Sequence, residues 1–277
     1  MMRKKKNYKP FVYIALCFFC ICTLVPCVLI VITSLRTTQE IVRDGLFSNI
    51  TVLHWENYIE AWKVGHFSTY FLNSVFISFF AVLGVLLFSL LGAYALAKLH
   101  FPGKAIYKTL IVMGLVIPLE IIIIPLFYDM QSMNLMDTHW AIILPTIAMN
   151  VPFGTFLLSG FIKDIPASLL ESAKIDGANE WKCLWYIVAP IIKPALISLL
   201  IFVFMWSWNA FMLPNIMVRS EEMRTLPLGL DFFRGKNTQN IPLIAAASNI
   251  ISMPVIIIYL VFQKNLIKGM MVGAVKG

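Results

Sequence analysis

Side chains able to do chemistry are sparse in this sequence, and several of them lie in stretches with no other charge. Glu120 sits in an otherwise uncharged run from Thr109 to Tyr128. A carboxylate so placed is a candidate for handling a solute or an ion. Asn150 lies in another apolar run, and Trp206, Trp208 and Asn209 fall close together in a third. Flat aromatic faces beside amides suit a sugar, whose C–H faces stack on rings and whose hydroxyls take hydrogen bonds. Each of these residues also has a purely structural use. Glu120 and the asparagines can bond a neighbouring helix, and tryptophan anchors span ends at the membrane interface.

Catalytic machinery is missing. The nearest match to a phosphate-binding loop runs from Gly229 to Gly235-Lys236, with one intervening residue too many and Asn237 where Ser or Thr belongs. The four histidines are scattered without metal spacing, and no Gly-x-Ser-x-Gly occurs. Cys17 and Cys20 share a helical face, but no histidine or carboxylate accompanies them, so Cys17, Cys20, Cys22 and Cys27 read as packing residues. No catalytic residue, metal ligand or bound cofactor is expected.

The elements that would hold these residues are membrane helices. Of 277 residues, 60% are hydrophobic and 13% charged, about half the charge of a soluble domain. That balance excludes a soluble globule and excludes disorder. Six runs are long enough to cross a bilayer: 11–35, 70–97, 109–128, 140–162, 194–218 and 241–263. The first follows Arg3-Lys4-Lys5-Lys6, as in a signal peptide, but its length and the lack of a cleavage signature favour an uncleaved helix. The runs are continuous rather than alternating, so the expected fold is all-α, a six-helix polytopic membrane bundle. Prolines 26, 118, 125, 145, 152 and 254 fall inside these runs and should kink them.

Loop charge sets the expected orientation. The tail 1–10, the loops 98–108 and 163–193, and the tail 264–277 hold 15 of the 22 Lys and Arg residues. The loops 36–69, 129–139 and 219–240 hold 7, with nine of the 14 acidic residues. The basic side is expected to be cytoplasmic, with both termini inside, and to face anionic lipid rather than nucleic acid. The outer 36–69 segment carries an amphipathic stretch at 53–62 and a formal sequon at Asn49-Ile50-Thr51. The outer 219–240 loop, with Arg219, Glu221, Glu222, Arg224 and Asp231, is a candidate surface for an external partner.

The loop 163–193 is too long for a plain connection and predicts structure of its own. Asp164 is expected to cap a helix opening at Ile165-Pro166, with Leu169, Leu170 and Ala173 as an apolar stripe. Asp176-Gly177 stops that helix, and Asn179 caps a second one over 180–189, ending before Pro190. The product is a two-helix elbow able to dock in a partner, or alternatively a helix lying flat on the bilayer.

Glu171-Ser172-Ala173-Lys174-Ile175-Asp176-Gly177-Ala178 resembles the EAA motif of ABC importer permeases, E-[AS]-A-x-x-D-G-A. Its flanks, Ile165-Pro166 and Ala189-Pro190, fit the same family. So do Asn73-Ser74, the stretch from Ala95 to Lys104, Trp208-Asn209 and the tail from Gly269 to Gly277. The resemblance covers nearly the whole chain and is strongest to the second permease of maltose-type sugar importers. Ser172 for the commoner Ala and Met270-Met271 for Leu-Thr are departures.

The resemblance implies a type I importer permease without catalytic activity of its own. It implies a second permease of different sequence, two cytoplasmic ATPase subunits and an extracytoplasmic solute-binding protein as partners. It also implies that Glu171, Ser172, Ala173, Asp176, Gly177 and Ala178 form the coupling surface on an ATPase, and that the membrane is a bacterial inner membrane. The competing reading is an ion-driven carrier or a channel without an ATPase. That reading calls for intramembrane charge pairs or an internal repeat, whereas Glu120 is the one charge inside a span and no repeat is visible. A membrane-embedded enzyme would need a cluster of polar catalytic groups at one depth, and none is visible.

Overall fold

The structure, a computed structural model, describes residues 9–45, 52–233 and 240–274. The basic cluster at 3–6, the sequon at 49–51, Gly235-Lys236-Asn237 and the last three residues of the tail lie outside them. Every regular element among the described residues is helical. Four helices are long and apolar enough to cross a membrane: α1 (Lys9–Ser34), α4 (Phe67–Lys98), α7 (Trp140–Lys163) and α13 (Ile241–Ala274). Two bent pairs bring the number to as many as six if each pair is one span. The chain is therefore an all-α, polytopic membrane protein.

The first bent pair is α5 (Lys104–Val116) and α6 (Leu119–Ser132), which meet at 106°. The run 109–128 is thus two helices and not one kinked helix. Pro118 disfavours helical backbone in the residue before it, and Ile117 is extended, with φ −75° and ψ 112°. Pro125, Pro145, Pro152 and Pro254 stay inside continuous helices, as does Pro26 in α1. The fifth run is also interrupted: α11 (Lys193–Trp208) ends at Asn209, and a short α12 (Met212–Met217) follows.

Two compact units can be distinguished. One comprises Met1–Phe67 and Gly229–Met253. Within it, α2 (Thr38–Asp44) opens with a capping box in which Thr37 and Glu40 bond each other's backbone N–H. The expected amphipathic stretch forms α3 (Glu56–Val64), burying Asn57 and Ala61 and exposing Trp55, Ile59 and Trp62. The Asn57 amide donates to the Ser34 and Arg36 carbonyls, both at 2.9 Å. Tyr58 Oη lies 2.8 Å from Ser34 Oγ and accepts from the Asn249 amide at 3.0 Å.

The other unit comprises Ser68–Leu228 and Pro254–Gly277. It carries two apolar cores. One joins Ile77 of α4, Ile123 and Met130 of α6, Ile142 and Ile143 of α7, and Leu213 and Met217 of α12. The other joins Val85 and Tyr94 of α4, Leu158 and Ile162 of α7, and Leu199 and Val203 of α11 to the 163–193 loop through Leu170, Cys183 and Leu184. Small residues let these helices approach: a Cβ on Gly154 of α7 would come within 2.9 Å of Leu199.

Candidate coupling elbow and translocation path

The loop after α7 forms the elbow, with two changes from expectation. Asp164 closes α7 instead of opening the next helix. The helix α8 (Ala167–Ile175) follows Pro166, which is extended and gives no side-chain cap. Of the expected stripe, Leu170 is buried and Ala173 packs beside it on the core. Leu169 remains 43% exposed and Ile175 87% exposed, so the outward apolar groups are those two. The helix turns its inner stripe toward its own bundle because Val85, Leu158 and Leu184 offer an apolar surface there.

The motif's spacing is explained by how α8 ends. Ala178 N–H donates to the Ala173 carbonyl at 2.9 Å, and Gly177 N–H donates to the Lys174 carbonyl at 3.0 Å. Those are the two bonds of a Schellman ending. Its left-handed position falls on Gly177, with φ +84°. Ala173 and Ala178, the pair that such an ending brings together, both pack on the second core. Asn179 then accepts from Lys182 N–H at 2.9 Å, capping α9 (Glu180–Lys182) as expected.

The second helix of the elbow runs past its expected end. A π turn spans Cys183–Val188, and α10 (Ala189–Ile191) carries Pro190 in its first turn. In the wider turn Ala189 N–H reaches back to Leu184, five residues away. The looser winding relieves the clash that a proline ring makes with the carbonyl four residues earlier. The stretch Glu180–Ile191 then meets α11 at 79°.

Polar staples, absent from the sequence reading, hold the elbow to the bundle. Tyr94 Oη donates to Glu180 Oε2, and Lys174 Nζ donates to Glu180 Oε1, each at 2.5 Å. Lys98 Nζ donates to the Ile165 carbonyl at 2.6 Å. The Glu180 carboxylate raises the Lys174 ammonium above its ordinary range. With these bonds made, Glu171, Ser172, Ile175, Asp176 and Gly177 stand exposed at the tip.

The five residues singled out inside the spans do not form one site. Trp208 is 1% exposed, stacked on Phe204 and edge-on to Phe71. It borders an apolar cleft of about 470 Å3 with Val75, Phe79 and Pro254. Ser78 Oγ, buried with no hydrogen-bond partner, is one of very few polar groups in an otherwise apolar lining, so the cleft offers the hydroxyls of a sugar too few partners. Trp206 points elsewhere and is 44% exposed. Its ring stacks with Phe202 at 5.8 Å and meets Phe153 of α7 edge-on at 5.0 Å. Asn150, one turn before Phe153, is half-buried and donates to the Thr146 carbonyl at 2.7 Å. Asn209 donates to Met205 at the end of α11, and Glu120 is exposed in the first turn of α6.

On the side read as external, the 219–228 segment is clamped. Asn73 of α4 donates to the Glu222 and Arg224 carbonyls at 2.7 and 2.9 Å. Ser74 Oγ accepts from Leu226 N–H at 2.8 Å. Asp137, with φ +61°, accepts from the Arg219 and Ser220 N–H groups and the Ser220 hydroxyl. Those bonds, the Ser220 N–H first, hold its carboxyl below the usual carboxylate range. His139 Nε2 lies 3.0 Å from Asn73 Oδ1, and burial pushes its pKa down, favouring a neutral ring. Asn73-Ser74 and Asp137 carried no chemical signature by themselves. Their partners lie 66 to 152 residues away.

Membrane-spanning helices, a braced elbow and a clamped loop at the opposite end of α4 describe a transport subunit that works through other proteins. Residues 86–272 match the family of binding-protein-dependent transport system inner membrane components. The chain belongs to this family and is a non-catalytic membrane permease subunit of an ABC importer, working with an ATPase and a solute-binding protein. It is 35% identical to the arabinooligosaccharides transport system permease protein AraQ of Bacillus subtilis, over 92% of this chain and 91% of that one. It is 33% identical to the protein of the same name from Halalkalibacterium halodurans, over 95% of each. A chain in the crystal structure of a bacterial ABC transporter involved in the import of the acidic polysaccharide alginate shares the fold. That chain aligns with a TM-score of 0.79 and 24% identity, over 95% of this chain and 98% of its own length.

Proposed function

We propose that the chain forms half of the translocation path of a sugar importer in a bacterial inner membrane. Six spans place both termini in the cytoplasm, the 11–263 region is one permease domain, and the 163–193 loop carries ATP-driven motion into it. A second permease of different sequence, two ATPase subunits and an external binding protein complete the complex. The carrying observation is the elbow: it is bonded firmly to α4, yet Glu171, Ser172, Ile175 and Asp176 remain at an exposed tip. A rigid, exposed knob transmits force, where a flexible loop would absorb it.

For the solute, the names of both permease relatives support a neutral oligosaccharide. The outer loops carry 7 basic against nine acidic residues, which gives no excess of positive charge to gather an anion. Within the spans, the Trp206, Phe202 and Phe153 rings beside Asn150 offer the stacking and amide chemistry a sugar needs. Trp206 and Asn150 therefore stay in the proposed path, with Glu120 near its α5–α6 break. Trp208 and Asn209 are assigned structural roles.

Pull-down of the tagged full chain from its native membrane in mild detergent tests this reading. The unaltered chain should bring down an ATPase subunit and a second permease. Ile175→Asp should lose the ATPase and keep the permease. Gly177→Val, strained at positive φ, should insert but fail to support uptake. Gly177→Asn, which tolerates that backbone, should retain uptake, because no atom of this chain lies within 4 Å of a Cβ there. A chain recovered alone and transporting in vesicles without ATP would overturn the proposal in favour of a secondary carrier.

A further inference from the structure

Three lysines without a part in coupling or in the proposed path converge on one cavity of the second unit. It measures about 280 Å3 and lies among the C-terminal ends of α4 and α7 and the first turns of α5. Lys104, Lys108 and Lys163 line it, and no carboxylate does. Lys104 is also the first residue of α5, a 13-residue helix whose N-cap, Gly103, gives no side-chain cap. The positive end of that helix dipole therefore adds to the lysine charge at the rim. Lys104 Nζ is held in place by donating to the Leu99 carbonyl at 2.8 Å.

Apart from Ser159, whose hydroxyl donates to the Phe156 carbonyl at 2.9 Å, the rest of the lining is apolar. Ile111 is buried, whereas Val112 and Phe156 are 43% and 57% exposed. The long spans α4 and α7 both end here, at Lys98 and Lys163, so the basic rim lies where they leave the hydrocarbon. Three ammonium groups above an apolar wall call for a ligand with an anionic head and a hydrocarbon body. A free phosphate would leave Val112 and Phe156 without a use, and a neutral lipid would leave the ammonium groups uncompensated. Lysines that merely reach for water would spread around the bundle instead of meeting across two helices.

The geometry points to a binding site for an anionic phospholipid, with its phosphodiester among Lys104, Lys108 and Lys163 and an acyl chain along Val112 and Phe156. Bound there, the lipid ties α5 to α7 beside the residues that staple the elbow. The inference concerns the membrane-facing surface and stands whether or not the transported solute is a sugar.

The test uses the whole transporter complex in nanodiscs of equal phosphatidylglycerol and phosphatidylcholine, with lipid retained after detergent extraction counted by native mass spectrometry. Phosphatidylglycerol should be retained in excess. Lys108→Gln with Lys163→Gln should weaken its retention by about fivefold for each lysine removed. Lys104 is left in place because it also bonds Leu99. A control pair outside the cavity, Lys193→Gln with Lys264→Gln, should keep the excess. Phe156→Ser should lower retention with all three charges present, which reports the acyl contact separately. Equal retention by the unaltered complex and the Lys108/Lys163 variant overturns the site. Displacement of the lipid by millimolar glycerol 3-phosphate would assign the cavity to a soluble phosphate and overturn it as well.

Discussion

Trp206 and Trp208 are two positions apart on one helix, yet their surroundings separate them. Trp208 is enclosed by Phe71 and Phe204, while Trp206 keeps 44% of its surface exposed beside Phe153 and Phe202. Truncating a buried aromatic leaves a cavity that its neighbours refill only in part, at a cost of about 3–5 kcal/mol. Trp208→Ala should therefore lower the thermal stability of the purified complex and its yield. Trp206→Ala should leave stability near that of the unaltered chain and reduce the uptake rate at saturating solute. Equal thermal shifts in the two variants would show that Trp206 is a packing residue too.

Short segments owe their shape to bonds made with distant ones. The 219–228 segment has little helix beyond short 3-10 turns, and α4 and Asp137 hold it through side chains. The Asp137 carboxyl is lowered in the folded state, so its contribution is fully present above the unfolded carboxylate pKa of about 3.9. It is lost only as pH falls through the still lower folded value. Limited proteolysis should find this segment equally protected at pH 7 and pH 5. Asp137→Ala should expose it to cleavage at both values. Protection that falls between pH 7 and pH 5 would assign the clamp to a different group, with His139 the nearest candidate.

At the scale of the whole molecule, the proposed topology sets the elbow tip and the clamped loop on opposite sides of the membrane. Single cysteines in a background lacking the five native ones report this directly. Ser172→Cys and Glu222→Cys both place the thiol at an exposed position. A membrane-impermeant maleimide added to intact spheroplasts should label position 222 and spare position 172 until the membrane is opened. The reverse pattern would invert the topology, and with it the assignment of coupling and receiving faces.

Several features were legible because their causes are short-range. Transfer of apolar side chains into hydrocarbon is close to additive along a run, so α1, α4, α7 and the start of α13 match the spans read from the sequence. Backbone endings are local as well. Asn179 caps where expected, and Gly177 takes the positive φ that its place after α8 requires. What only tertiary structure decided is direction. In a helix that is apolar on every side, no pattern marks an inner face, so neither the burial of Trp208 nor the exposure of Trp206 could be read in advance. Leu170 and Ala173 turned inward because a core was waiting, and Asp164 was claimed by the end of α7 before it could serve the start of α8. The clamp at Asp137 and the staple at Glu180 join residues 82 and 86 positions apart. Such bonds exist only once folding has brought their partners together, because a hydrogen bond depends on a few ångströms of separation and not on sequence distance.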